Sequence, residues 1–193
     1  MKSLGITGNI GTGKSSVLHI LKNMGITTYD LDVVAKEFYK ADTDIKNRVL
    51  KLFPSVLSKD NQIDTKSLGQ LVFSDKEKLN TLQKIIWPQI EKYISKKIEN
   101  TSKLIVFEGA VIIEAGWHKL FDYIWIINSS HSLSKQRLEK QRNLSKSNFE
   151  KIINNQLKTD EVISILDKDN IRYSIINNNS DLVALKKEIG KNI

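Results

Sequence analysis

The sequence has no cysteine, which excludes disulfides, thiol nucleophiles and cysteine-based metal centres together. No apolar run approaches the roughly eighteen residues that a helix needs to cross a bilayer. There is no N-K-x-D tetrad with which a GTPase-type switch would read guanine, no dense basic tail and no internal repeat. The only low-complexity stretch is the turn Asn177-Asn178-Asn179. Proline is reduced to two residues, and Pro88 falls inside a long helical pattern. A motif begins at Gly8, which leaves no room for a cleavable leader. Together these absences make a cytoplasmic setting the expectation.

What remains is ordinary for a folded chain. At 193 residues, 40% hydrophobic and 27% charged, it suits one well-buried domain. The formal charge of +8 favours anionic ligands such as nucleotides, nucleic acid or an acidic membrane surface. The cations are mostly lysines scattered along helices, a pattern that reads as solvated surface. Neither nucleic acid nor membrane is therefore expected as a partner, and a monomer is expected. A nucleic-acid-binding ATPase is the rival that salt-dependent binding would reveal.

The informative stretch is Gly8-Asn9-Ile10-Gly11-Thr12-Gly13-Lys14-Ser15, which fits G-x-x-x-x-G-K-S. Leu4-Gly5-Ile6 before it suits a buried strand, and apolar residues at 17, 18, 20, 21 and 24 suit a helix packed on a sheet. Strand, glycine-rich turn and helix N-terminus are the context in which this pattern binds phosphate. Glycines let consecutive N–H groups point inward, and the helix adds the positive end of its dipole. Residues Gly8 to Ser16 are thus the expected ATP cradle. Lys14 is expected at the β- and γ-phosphates, and the Ser15 hydroxyl on Mg²⁺.

Gly25 closes the first helix, and Ile26-Thr27-Thr28-Tyr29 predicts a second strand that delivers Asp30-Leu31-Asp32. One of these carboxylates could accept a hydroxyl proton or help hold Mg²⁺; the other reading is an acidic helix N-cap. Residues 42–100 read as almost wholly helical, with a polar loop or hairpin at Ser58–Asp64 and a kink or break at Trp87-Pro88. Strands follow at Lys103–Phe107, Tyr123–Ile127 and Ser174–Ile176. Two polar helices, 131–143 and 145–158, carry Arg137, Lys140 and Arg142 near their junction and suggest a lid. The closing helix is placed at 181–190. The pattern predicts an α/β fold, with a doubly wound parallel five-stranded sheet, a helical acceptor lobe (about 36–100) and a small helical lid (about 134–160).

These residues resemble the dephospho-coenzyme A kinase family over nearly the whole chain. Gly5 to Ser16 is similar to its opening G-L-T-G-G-I-G-S-G-K-S-T, and Asp30-Leu31-Asp32 to its D-A-D. Ala110-Val111-Ile112-Ile113-Glu114 is similar to its P-L-L-F-E. Arg137-Leu138, Leu144-Ser145 and Gln156 fall where its lid lies. The resemblance implies transfer of the ATP γ-phosphoryl group to the ribose 3′-hydroxyl of dephospho-coenzyme A, on a nucleoside monophosphate kinase-like fold. It implies Asp32 as base, with Lys36 and Glu114 on the acceptor side. Arg137 and an Asn near the closing strand, Asn177 or Asn178 with Asn178 preferred, would be on the nucleotide side. Three positions depart from the family pattern: Lys36 and Gln141 stand for Arg, and Trp87 for His. Arg142, one place after Gln141, is the expected substitute as catalytic lid arginine.

Overall fold

Residues 1–142, 153 and 156–193 are described by the computed structural model, with side chains left out at 140–142. Most of the lid's second helix, expected at 145–158, and the side chain of Arg142 therefore lie outside the described residues, and residues 156–158 are not helical. By internal contacts the chain divides into two units, Met1–Tyr29 with Asn100–Ile193, and Asp30–Glu99. The second begins at Asp30, ahead of the lobe boundary expected near residue 36.

The first unit is built on a strand with no polar face. Strand β1 (Ser3–Thr7) is buried at every position, as a strand covered on both sides must be. It lies at the centre of a parallel five-stranded sheet in the order β2-β3-β1-β4-β5. The others are β2 (Thr27–Asp30), β3 (Ile105–Glu108), β4 (Tyr123–Asn128) and β5 (Tyr173–Asn177). Ile6 is in register with Glu108 on one side and Trp125 on the other. All the strand C-termini lie at one edge, which is where open α/β sheets bind ligands.

Helix α1 (Lys14–Asn23) buries Val17 and Leu21 completely. They join Leu4, Ile6, Val106 and Trp125 of the sheet, and Leu185 and Ile189 of the closing helix, in one core. The α1 C-terminus is a Schellman turn: the Gly25 N–H bonds Lys22 O at 3.0 Å and the Ile26 N–H bonds Leu21 O at 3.2 Å. Gly25 supplies the left-handed φ of 82° that this turn requires.

The second unit begins where β2 runs into α2 (Leu31–Ala41), followed by α3 (Thr43–Leu52), a 3₁₀ turn (Pro54–Val56), α4 (Thr65–Phe73) and α5 (Lys76–Glu99). Each of the four α-helices starts on an aspartate. Asp30, Asp42, Asp64 and Asp75 accept backbone N–H groups of the first turns that follow them. The polar stretch before α4 is a hairpin: Leu57 bridges Ile63, the Ser58 N–H bonds Gln62 O at 2.8 Å, and Asn61 takes φ 56°.

Of the two readings at Trp87-Pro88, the break is excluded: helix α5 continues through Pro88. Proline removes one ladder bond, but Leu82, Ile85 and Ile86 before it and Ile90 and Ile94 after it are buried, so packing holds both halves in one helix. Helix α7 (Thr159–Lys168), absent from the expected elements, follows α6 (His131–Arg142), and α8 (Leu182–Asn192) closes the chain. Of the apolar residues of α7, Val162, Ile163, Ile165 and Leu166, the first and last are buried. His118 Nε2 meets the Asp169 carboxylate just beyond it at 2.8 Å. Among the described residues, no helix is long and apolar enough to cross a membrane.

Candidate active site

Where β1 ends, the chain can turn only because it carries glycine. Gly8 has φ 142°, and a Cβ there would sit 2.3 Å from the Ile127 carbonyl oxygen of β4. Gly13, the last residue before α1, has φ 93°, and a Cβ there would sit 2.2 Å from Asn178 Nδ2. Side chains at either position would collide with rigid structure and face a strained backbone.

Within the loop, the carbonyls are gathered to one side. Asn9 O accepts from the Thr12 N–H at 3.3 Å, from Thr12 Oγ1 at 2.8 Å and from Lys14 Nζ at 3.2 Å. Lys14 Nζ also donates to Gly8 O at 2.8 Å. A lysine that reaches back over its own loop is held at the mouth of the cradle. Helix α1 has no acidic residue in its first turn and no side-chain cap, so its own residues leave the positive end of its dipole uncompensated. Ser15 is exposed at that end.

Three side chains from distant parts of the unit hold the loop. Asn178, 5% exposed just after β5, donates from Nδ2 to Thr12 O at 2.8 Å. Arg137 of α6 donates from Nη2 to Asn178 O at 2.9 Å and to its Oδ1 at 3.4 Å. Its Nη1 reaches Ser129 Oγ at 3.2 Å and Thr12 O at 3.5 Å. Gln156 Oε1 accepts the Ile10 N–H at 2.9 Å. Arg137 and Asn178, expected on the nucleotide side, thus make these bonds to protein, and the structure distinguishes Asn178 from Asn177, whose Oδ1 accepts from Asn128 at 3.2 Å.

Two carboxylates belong to the β3 edge. Glu108 ends the strand, 6% exposed, while the next N–H, of Gly109, bonds Ile6 O at 3.0 Å. Glu114 follows in the turn. Its side chain keeps exposed surface, yet nearby protein raises its carboxyl above the usual range, with its own backbone N–H and the Lys14 ammonium partly opposing that rise. Glu114 and Lys14 are therefore close enough to feel one another.

Asp32 and Lys36 lie in the other unit, on the first two turns of α2. Asp30 Oδ1 accepts the Asp32 N–H at 2.9 Å and the Val33 N–H at 3.1 Å, so of the two carboxylates Asp30 is the cap. Asp32 and Lys36 are both exposed, and a spacing of four residues puts them on one helix face. Sequence reasoning missed Glu108, Ser129 and the Thr12 carbonyl as parts of this region. Only the clustering of Asn and Ser just after β4 and β5, at the ligand-binding edge of the sheet, could have pointed to them.

The profile of the dephospho-CoA kinase family matches residues 2–184. The dephospho-CoA kinase of Aquifex aeolicus is 30% identical over 99% of this chain and 95% of its own. That of Fusobacterium nucleatum is 32% identical, covering 96% and 94%. Among solved structures, a Thermus thermophilus protein superposes with a TM-score of 0.78 at 23% identity, covering 99% of this chain and 95% of that one. The dephospho-CoA kinase of Campylobacter jejuni gives 0.65 at 24% identity, covering 100% and 96%.

Proposed function

The chain belongs to the dephospho-CoA kinase family, an ATP-using kinase of coenzyme A synthesis, and from that premise we propose how its residues divide the transfer of the γ-phosphoryl group of ATP to the ribose 3′-hydroxyl of dephospho-coenzyme A. The observation that carries the reading is the glycine cradle with Lys14 at its mouth, inside a family match that spans residues 2–184.

The main-chain N–H groups of Gly8 to Ser16 receive the triphosphate. Lys14 exchanges its bonds to Gly8 O and Asn9 O for phosphate oxygens, which brings a positive charge to where negative charge develops during transfer. The fit of Mg²⁺ rests on the exposed Ser15 hydroxyl at a helix end that carries no acidic first-turn residue. When bound, the ion neutralises phosphate charge; Ser15 would hold it.

Asp32 takes the proton of the acceptor hydroxyl, a role open to it because Asp30 is the cap of the same helix. Lys36, one turn on, attracts acceptor phosphate as a point charge in place of the family's bidentate arginine. Glu114 is assigned to the acceptor side, where desolvation raises its carboxyl above the usual range and the Lys14 ammonium partly opposes that rise. Arg142 is proposed to neutralise the transferring group from the lid. A single protomer suffices for this scheme, and the cysteine-free sequence supports a cytoplasmic setting.

An ADP-release assay tests the acceptor. Dephospho-coenzyme A should drive release, whereas adenosine monophosphate and shikimate should leave it at background. Turnover with either of those and none with dephospho-coenzyme A would overturn the assignment.

A further inference from the structure

We propose that Arg137 and Asn178 are positioning residues that aim the Gly13 amide into the cradle by pinning the Thr12 carbonyl behind it. The inference rests on reading Gly8 to Ser15 as a phosphate cradle. Thr12 C=O and Gly13 N–H belong to one planar trans peptide, so they point in opposite directions. Asn178 Nδ2 and Arg137 Nη1 both donate to Thr12 O, at 2.8 and 3.5 Å. With the carbonyl held on their side, the Gly13 N–H must face away from them.

Such a pin is needed because Gly13, at φ 93° and with no side chain, has a backbone that only weak steric limits keep from rotating. The pin itself is rigidly mounted. The Asn178 N–H bonds Asn128 O at 2.8 Å, which ties it to the end of β4. The Arg137 fork spans both oxygens of Asn178, at 2.9 and 3.4 Å, and reaches Ser129 Oγ at 3.2 Å. Asn178 therefore uses its side-chain oxygen toward Arg137 and its side-chain amide toward Thr12. Lysine cannot reproduce this fork.

The test is calorimetric titration of the purified full chain with inorganic tripolyphosphate, a probe that has phosphate but no base or ribose. The variants are Arg137→Ala, Arg137→Lys, Asn178→Ala and Arg137→Ala/Asn178→Ala, each checked for a native melting transition. Each single variant should weaken tripolyphosphate binding about tenfold, Arg137→Lys as much as Arg137→Ala. The double variant should be no weaker than the worse single, because both act on one carbonyl. Full affinity in Arg137→Lys would mean that the charge acts on phosphate directly. Losses that multiply in the double variant would mean two independent ligand contacts. Unchanged tripolyphosphate binding beside weakened ATP binding would move both residues to the base. Any of these three overturns the proposal. Failure of the unaltered chain to bind tripolyphosphate would instead remove the cradle reading itself, and this inference with it.

Discussion

The two units carry their functional groups in opposite ways. In the sheet unit the proposed phosphate cradle is main-chain N–H groups with the Lys14 side chain at their mouth, shaped by glycines and held by Asn178, 5% exposed, on Thr12, 4% exposed. In the helical unit the proposed groups are the exposed side chains Asp32 and Lys36, carried on a helix whose start is fixed by Asp30. The first arrangement couples function to folding, because its chemistry lies in the backbone. The second lets chemistry change at the end of a side chain while the helix stays intact.

Substitutions should separate the two. The largest effect is expected from Gly13→Ala. A non-glycine residue at such a φ is strained by about 1–3 kcal/mol, before the clash with Asn178 Nδ2 is counted. Triphosphate binding should be lost. The melting temperature should fall by several degrees, at about 2–4 °C per kcal/mol for a chain of this size. Scanning calorimetry beside ATP titration checks both.

Lys14→Ala comes next. Turnover should drop by at least ~10²-fold, as when a transition-state donor is removed, while melting changes little because Lys14 lies outside the buried core. Wild-type turnover in the variant would break the contrast.

The cap of α2 gives a smaller and purely structural effect. Asp30→Ala should cost about 1 kcal/mol, and Asp30→Asn only a few tenths, since asparagine caps as well as aspartate. Urea melts distinguish these values. A large loss of kcat in Asp30→Asn without loss of stability would move the base from Asp32 to Asp30.

The smallest effect concerns acid. The Ser67 hydroxyl and backbone N–H groups hold the Asp64 carboxyl below the usual range, and Lys78 does the same for Asp75. A carboxyl depressed in the folded state contributes stability above its unfolded pKa of about 3.9, and loses it as pH falls through the folded value. Asp64→Asn/Asp75→Asn should therefore flatten part of the helix loss seen by circular dichroism below that range. Asp122 and Asp169 in the sheet unit act in the same direction, held low by Lys2 and Ser3 N–H groups and by His118 with Lys119.

The sequence made the sheet unit legible because local signals and tertiary outcome agree there. The run Leu4-Gly5-Ile6, the G-x-x-x-x-G-K-S spacing and Gly25 each specify a local conformation that the fold keeps. Pro88 does not break its helix, because packing at Ile85, Ile86 and Ile90 outweighs one lost bond. Helix α7 was missed although Val162, Ile163, Ile165 and Leu166 stand at helical spacing, with Val162 and Leu166 buried. The bonds from Arg137 and Asn178 to Thr12 were illegible for a different reason: they join residues 125 and 166 positions apart, and no local pattern encodes such a pairing.

The division of labour between backbone cradle and helix side chain is tested most directly by Asp32→Asn, with ATP affinity and kcat toward dephospho-coenzyme A measured on the same preparation. The amide keeps the shape of the carboxylate but cannot take a proton, and general-base contributions are typically ~10²–10⁴-fold. The account predicts kcat lower by ~10²-fold or more with an unchanged ATP dissociation constant. An unaltered kcat, or an ATP affinity that falls in step with it, would contradict it.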